Sequence, residues 1–157
     1  MALRRPIVLY DGHFGQLQAG DILDAEVVAI DTIILTNEEL DAITIGTPVH
    51  ISSASRVRRA IANAPVTAEV IGLVRSASIP SNGTGSIQLD GVLSMANWTS
   101  IIGAVTLIAG TEYYLSPTTA GRLTATPPTA TGQFLVFVGR AISATDMDIN
   151  IEKRILL

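Results

Sequence analysis

The fold is decided by residues 132–143, GQFLVFVGRAIS. In this stretch Phe134, Val136 and Val138 alternate with two further apolar residues, so both sets of side chains are hydrophobic. Successive side chains of a β-strand point to opposite faces, and both faces of this strand must therefore be covered. A single small barrel would leave one face in water. The stretch predicts a second layer, supplied by an N-terminal arm or by a neighbouring subunit.

The sequence around this stretch predicts an all-β (mainly β) fold. From Ile45 onward, clusters of Gly, Pro and Asn separate short β-prone runs at intervals of roughly ten residues, a spacing typical of a small β-barrel or sandwich. The predicted strands are 47–52, 67–75, 85–95, 104–108, 112–116, 122–125, 132–143 and 147–153.

Two short helices are predicted beside the strands. Thr36 and Glu39 form a capping box in front of a helix over 37–43, with a polar turn as the alternative. A second helix is predicted over 55–63, ending before Pro65. The residues that would share its apolar face are Val57, Ala60 and Ile61.

The 157 residues suit one ordinary domain, within which three segments can be distinguished. Residues 1–25 are interpreted as an extended N-terminal attachment arm, 26–44 as a connector with a short helix, and 45–157 as the β-barrel or sandwich body. In the arm, residues 6–10 form a strand candidate and Asp11 begins a turn signal.

The composition predicts self-association. The chain is 48% apolar and only 15% charged, against about 25% charged residues in typical soluble domains. No apolar run approaches the roughly 18 residues of a membrane span, so a membrane partner is not expected. We therefore expect burial between subunits of a homo-oligomer, with a trimer favoured. The subunit-interface candidates are Phe134, Phe137, Ile155, Leu156 and Leu157.

Charge is unevenly distributed along the chain. Residues 1–41 hold eight acids against two arginines, a charge of −6, while residues 42–157 hold six acids against eight bases, a charge of +2. This net acidic pattern lacks the basic footprint of a nucleic-acid-binding protein. The basic cluster of Arg56, Arg58 and Arg59 is a candidate for ion pairing with the acidic segment of another subunit, and a solvated helix face is the alternative.

Residues suited to catalysis or metal binding are few. The chain has no cysteine, and neither His13 nor His50 has an acid or a second histidine at ligand spacing. The acids Asp11, Asp21, Asp24 and Asp31 match no calcium loop. We expect no enzyme activity, no metal and no cofactor. Trp98 is interpreted as a core residue, with a carbohydrate platform that also uses Tyr113 and Tyr114 as the alternative.

The order of glycine-containing motifs resembles that of small β-barrel virion proteins of tailed phages. The resemblance covers residues 45–157 and rests on glycine placement. Its motifs are Gly46-Thr47-Pro48-Val49, Val70-Ile71-Gly72-Leu73-Val74, Gly85-Ser86-Ile87-Gln88-Leu89-Asp90-Gly91, Gly110-Thr111-Glu112-Tyr113-Tyr114 and Val138-Gly139-Arg140-Ala141.

The resemblance implies a capsid decoration (cement) protein that stabilises the major capsid lattice, with a tail-fibre or baseplate adaptor as the alternative. A carbohydrate-binding β module is a second alternative. The front segment resembles attachment segments of phage tail-fibre proteins, which would make it the partner-binding arm; its residues are Arg5, Pro6, Ile7, Val8, Leu9 and Tyr10. No signal peptide is visible, and the expected location is the virion, assembled in the host cytoplasm.

Overall fold

The computed structural model describes residues 31–157 and the backbone of residues 7–10 and 13–16. These residues form sixteen strands and one short helix, which confirms a mainly β fold containing a small barrel. The elements are β1 (Ile7–Tyr10), β2 (His13–Gln16), β3 (Thr32–Asn37), β4 (Ile43–Thr44), β5 (Pro48–Ser53), β6 (Arg56–Arg59), β7 (Val70–Val74), β8 (Ser78–Ile79), β9 (Thr84–Gln88), β10 (Gly91–Ser94), α1 (Thr99–Ile102), β11 (Glu112–Leu115), β12 (Leu123–Thr124), β13 (Phe134–Leu135), β14 (Phe137–Ala141), β15 (Asp146–Ile149) and β16 (Ile155–Leu156).

The first half of the described chain forms a closed five-stranded barrel in the order β3-β6-β5-β7-β9. Strands β3 and β6 run parallel and the other pairs are antiparallel. The barrel closes where β3 meets β9, from Thr32 opposite Gln88 to Thr36 opposite Thr84. Its interior is aliphatic and consists of Leu35, Ile43, Val49, Val57, Val74, Ile79 and Ile87.

The second half forms an open antiparallel sheet in the order β10-β15-β14-β11-β12. Strands β13 and β16 add a two-stranded antiparallel ribbon, and β4 pairs with β8 in the same way. Strands β1 and β2 form an antiparallel hairpin, from Ile7 opposite Gln16 to Tyr10 opposite His13.

The open sheet and the barrel share a second hydrophobic core. The inner face of the sheet contributes residues such as Leu115 and Val138, and Trp98 with Ile101 packs into the same cluster from α1 and its N-terminal side. The segment between β6 and β7 contributes three small side chains, Ala60, Ala62 and Ala68, and β7 contributes the larger side chains of Val70 and Leu73. This second core therefore joins the two halves.

Two glycines are required by close backbone approach. A Cβ on Gly72 of β7 would lie 2.4 Å from the carbonyl oxygen of Gln88, and a Cβ on Gly139 of β14 would lie 2.4 Å from that of Asp148. A third glycine, Gly91, has φ +84 and begins β10, and two residues separate it from Gln88, where β9 ends. The single strand predicted over 85–95 is therefore two strands that belong to different sheets.

Both predicted helices are wrong. The first predicted helix, over 37–43, does not form, and the segment predicted to be a connector supplies β3 of the barrel. After β3 the side chain of Asn37 closes a turn, in which its Oδ1 accepts a hydrogen bond from the N–H of Glu39 at 2.7 Å. Asn is unfavourable in helices because its amide competes for backbone groups in this way. The segment 55–63 begins with Ser55 at φ 58 and continues as β6, where Val57 points inward at strand periodicity.

The remaining strand predictions are mostly confirmed, with two changes. The run 104–108 is not a strand, because only Leu107 is buried and the apolar residues on either side face outward. The run 132–143 is interrupted at Val136 into β13 and β14. The one described helix, α1, was not predicted; it ends at Gly103, which adopts a left-handed conformation.

Candidate functional site

The predicted partner-binding arm lies mostly where side chains are not described. Ile7, Val8, Leu9 and Tyr10 form β1, in line with the predicted strand, and the backbone pairs with β2. Arg5 and Pro6 lie outside the described residues, as do Asp11, Asp21 and Asp24.

The interface candidates of the C-terminal half divide into buried and exposed residues. Phe134 is only 7% exposed and packs into the shared core, so it offers little surface to a partner. Phe137 and Leu157 are half-buried. Ile155 and Leu156 are 57% and 64% exposed. Among the described strands, β16 pairs with β13 alone, and its other edge is open.

Two clefts flank an ion pair beside β16. Arg154 and Glu69 form this pair between the C-terminal segment and the segment preceding β7. One cleft, of about 490 Å³, is lined by Ile151 and Leu156 among others. The other, of about 390 Å³, is lined mainly by apolar groups, namely Ile51, Pro65, Val66 and Ile71. We call the apolar side chains of the two clefts the C-terminal apolar surface: Ile51, Val66, Ile71, Ile151 and Leu156.

The basic cluster is on β6 and pairs with acids of its own chain. Arg58 Nε lies 3.2 Å from Glu38 Oε2, and Arg59 Nη1 lies 3.8 Å from Glu39 Oε2. Arg56 donates to the side-chain oxygen of Asn82. Glu38 and Glu39 belong to the acidic segment 1–41, so the basic cluster and the acidic segment do meet, within one subunit of the structure.

The aromatic residues considered for a carbohydrate platform are mostly inside the protein. Trp98 is fully buried, and its Nε1–H donates to the Thr145 carbonyl at 3.0 Å. Tyr113 is also buried, and its hydroxyl accepts from the N–H of Ile108. Trp98 and Tyr113 therefore cannot stack on a ligand. Tyr114, next along β11, points to the opposite face and is half-exposed.

A cavity of about 420 Å³ lies on the outer face of the open sheet, and Tyr114 is part of its wall. The Tyr114 ring meets Phe137 edge to face, with centroids 6.0 Å apart and an interplanar angle of 71°. We call this concavity the outer-face cavity. Its lining residues are Glu112, Tyr114, Leu135, Phe137, Arg140, Asp148, Asn150, Glu152, Lys153 and Ile155.

A short polar network fixes one wall of the outer-face cavity. The Tyr114 hydroxyl donates to Glu112 Oε2 at 2.6 Å, and Arg140 Nη2 lies 2.5 Å from Glu112 Oε1. Two hydrogen bonds lower the pKa of Glu112 below its usual 4.5; the bond from Tyr114 has the larger effect and the bond from Arg140 the smaller. The bond between Tyr114 and Glu112 also raises the pKa of Tyr114 above its usual 10.0. None of the site residues predicted from the sequence belongs to this network except Tyr114. The signal was the spacing of Glu112 and Tyr114, which places both on one face of a strand.

The histidines and acids show no metal-like grouping in the described part of the chain. His50 is buried and its Nδ1 lies 3.0 Å from the Ile51 carbonyl, while the side chain of His13 is not described. Within residues 31–157, no three His, Cys, Asp or Glu side chains converge as metal ligands.

Comparison with known proteins gives no assignment. No family model and no curated protein matches this chain. Among the described residues, no helix has the length and apolar character needed to cross a bilayer. The functional interpretation therefore depends on the surfaces described above.

Proposed function

We propose that this chain is a structural protein of a tailed-phage virion, a decoration protein that binds the capsid as a homotrimer. The observation that carries the proposal is the exposed apolar end of the chain, where Leu156 lies on an open strand edge beside further apolar side chains. Exposed apolar patches next to an unpaired strand edge favour contacts between proteins.

The occupant proposed for the C-terminal apolar surface is a second and third copy of the same chain. Burying a Leu side chain contributes about 1.5–3 kcal/mol, and three copies around one axis repeat that gain at every interface. The charged side chains that line both clefts, Arg154 and Glu69, already pair with each other. The composition supports the same proposal, because the chain has few charges to cover a monomer.

The oligomer is tested by light scattering coupled to size exclusion. We expect a mass three times the 16.5 kDa of one chain. Leu156→Asp should give monomers, because a charge on this surface cannot be buried at low cost. Leu40→Asp is the matched control, since Leu40 is 94% exposed and lines neither cleft. A monomeric wild-type chain, or an unchanged mass for Leu156→Asp, would refute self-association through this surface.

The attachment of the trimer to a shell is assigned to the N-terminal residues. Deleting residues 1–25 removes the β1–β2 hairpin and leaves the barrel strands intact. We expect the truncated protein to remain a trimer and to be lost from virions produced from the genome that encodes it.

Antibody-gold labelling of those virions distinguishes the candidate locations. Label over the capsid supports decoration, and label confined to the tail or baseplate would replace it with the adaptor alternative. Virions without label on either part would exclude a virion role.

A further inference from the structure

The outer-face cavity combines an aromatic floor with a polar rim. Tyr114 and Phe137 form the floor, and Leu135 and Ile155 extend it as an apolar surface. The Tyr114 ring is held in place at both ends, by its backbone in β11 and by its hydroxyl bonded to Glu112. The floor is therefore a preorganised surface that loses little conformational entropy when a ligand binds.

The rim offers hydrogen-bonding groups that the protein does not use itself. Asp148 and Asn150 on and just after β15 are exposed, and neither side chain has a hydrogen-bond partner among the described residues. Arg140 lies opposite Asp148 in the ladder and keeps further N–H groups beyond the one that contacts Glu112. Donors and acceptors thus lie side by side above the floor.

The charges of the cavity nearly cancel. Three acids and two bases line it: Glu112, Asp148, Glu152, Arg140 and Lys153. The sum is −1, and the closest acid and base already neutralise each other across 2.5 Å. A strongly charged ligand would gain little from such a site, whereas a neutral ligand with many hydroxyl groups would find both donors and acceptors.

We propose that the outer-face cavity is a binding site for a neutral carbohydrate. A pyranose ring has an apolar C–H face that can stack on one of the two rings, while the other ring, inclined at 71°, contacts the side of the sugar. The hydroxyl groups at the edge of the sugar both donate and accept hydrogen bonds. The volume of about 420 Å³ is large enough for one or two sugar rings.

This site differs from the carbohydrate platform considered from the sequence. That platform combined Tyr114 with Trp98 and Tyr113, which are buried, whereas the outer-face cavity keeps Tyr114 and combines it with Phe137, a residue predicted to lie at a subunit interface. The site adjoins the cleft of the proposed trimer contact, and the two share Glu152 and Lys153, but Phe137 and Asp148 line only the outer-face cavity and Leu156 lines only the cleft. Glycan binding and trimer formation can therefore be tested independently.

The test is an array of immobilised oligosaccharides probed with the full-length protein. The array carries neutral glucose, galactose, mannose and N-acetylglucosamine oligomers beside sialylated and sulfated ones. We expect binding to at least one neutral series, followed by calorimetry with the best soluble oligomer. Binding to no neutral glycan, or to acidic glycans alone, would overturn the proposal.

Three variants locate the binding. Phe137→Ala removes half of the floor, and Asp148→Ala removes an exposed acceptor without touching the core; each should weaken binding at least about tenfold. Asp41→Ala is the matched control, an exposed aspartate on the barrel that has no side-chain partner among residues 31–157. Asp148→Ala keeps the test valid if Phe137→Ala is poorly folded. Unchanged affinity for Asp148→Ala, or an equal loss in Asp41→Ala, would refute this location.

Discussion

Replacing Asn37 by Ala is expected to destabilise the barrel strongly, because this fully buried side chain holds three backbone groups. Its Nδ2 donates to the carbonyls of Ile79 and Asp41, both at 2.9 Å, and its Oδ1 accepts from the N–H of Glu39 at 2.7 Å. Alanine leaves all three without their partner and opens a small cavity at the end of β3.

The magnitude follows from where each hydrogen bond lies. The bond to Ile79 is buried, so its loss leaves a carbonyl that water cannot reach, at a cost of about 1–3 kcal/mol. The other two bonds are partly exposed, and water can replace the side chain there at a cost of about 0.5–1.5 kcal/mol each. We expect the free energy of unfolding to fall by about 2–6 kcal/mol in total.

Urea unfolding measures this change with two signals that report on different parts of the molecule. Fluorescence of Trp98, the only tryptophan, follows the shared core, and far-ultraviolet circular dichroism follows the strands of both sheets. The control is Asn63→Ala, since the exposed Asn63 side chain has a single hydrogen bond within residues 31–157, a 3.3 Å bond that it accepts from Thr67. A loss below about 1 kcal/mol for Asn37→Ala, close to that of the control, would refute the reasoning.

Three further changes test other parts of the structure. Gly139→Ala should lower the free energy of unfolding by about 1–3 kcal/mol, measured in urea, because the new methyl group meets a backbone carbonyl of β15 at 2.4 Å. Trp98→Phe should lower the thermal midpoint by circular dichroism, since it leaves the Thr145 carbonyl without its donor. Tyr114→Phe should raise the pKa of Glu112 towards 4.5, because the hydrogen bond that lowers this pKa is lost. In a carbon-13 NMR titration, the Glu112 carboxylate of the variant should therefore begin to protonate at a higher pH than that of the original chain. An unmoved Glu112 titration would contradict the assigned hydrogen bond.

The strands could be predicted because their side chains alternate and glycines punctuate them. The run 132–143 predicts cover on both faces; the shared core covers the inner face, whereas on the outer face Phe137 has the neighbouring side chain Tyr114 beside it and lines an open cavity. The alternatives for covering the second face are the N-terminal arm and a neighbouring subunit. The apolar side chains of Ile155 and Leu156 are more exposed than that of Phe137, so they are the better candidates for a contact between subunits.

The helix predictions failed because local patterns carry no information on distant partners. The capping box at Thr36 and Glu39 is a valid local signal, but Thr36 pairs with Thr84 in the barrel, and that ladder outweighs one turn of helix. The outer-face cavity was unpredictable for the same reason. Its aromatic and polar residues come from β11, β14, β15 and the segment after β15, and the register of these strands is set by the fold and not by their spacing in sequence.

The closure of the barrel by β3 and β9 affects how the chain folds during synthesis. Thr32 cannot find its antiparallel partner until the ribosome has released Gln88, the last residue of the barrel. The β5–β6 hairpin can form earlier, because its strands are neighbours in sequence. The nascent chain therefore carries open strand edges while the entire barrel is translated, and this interval is when it is most prone to aggregate.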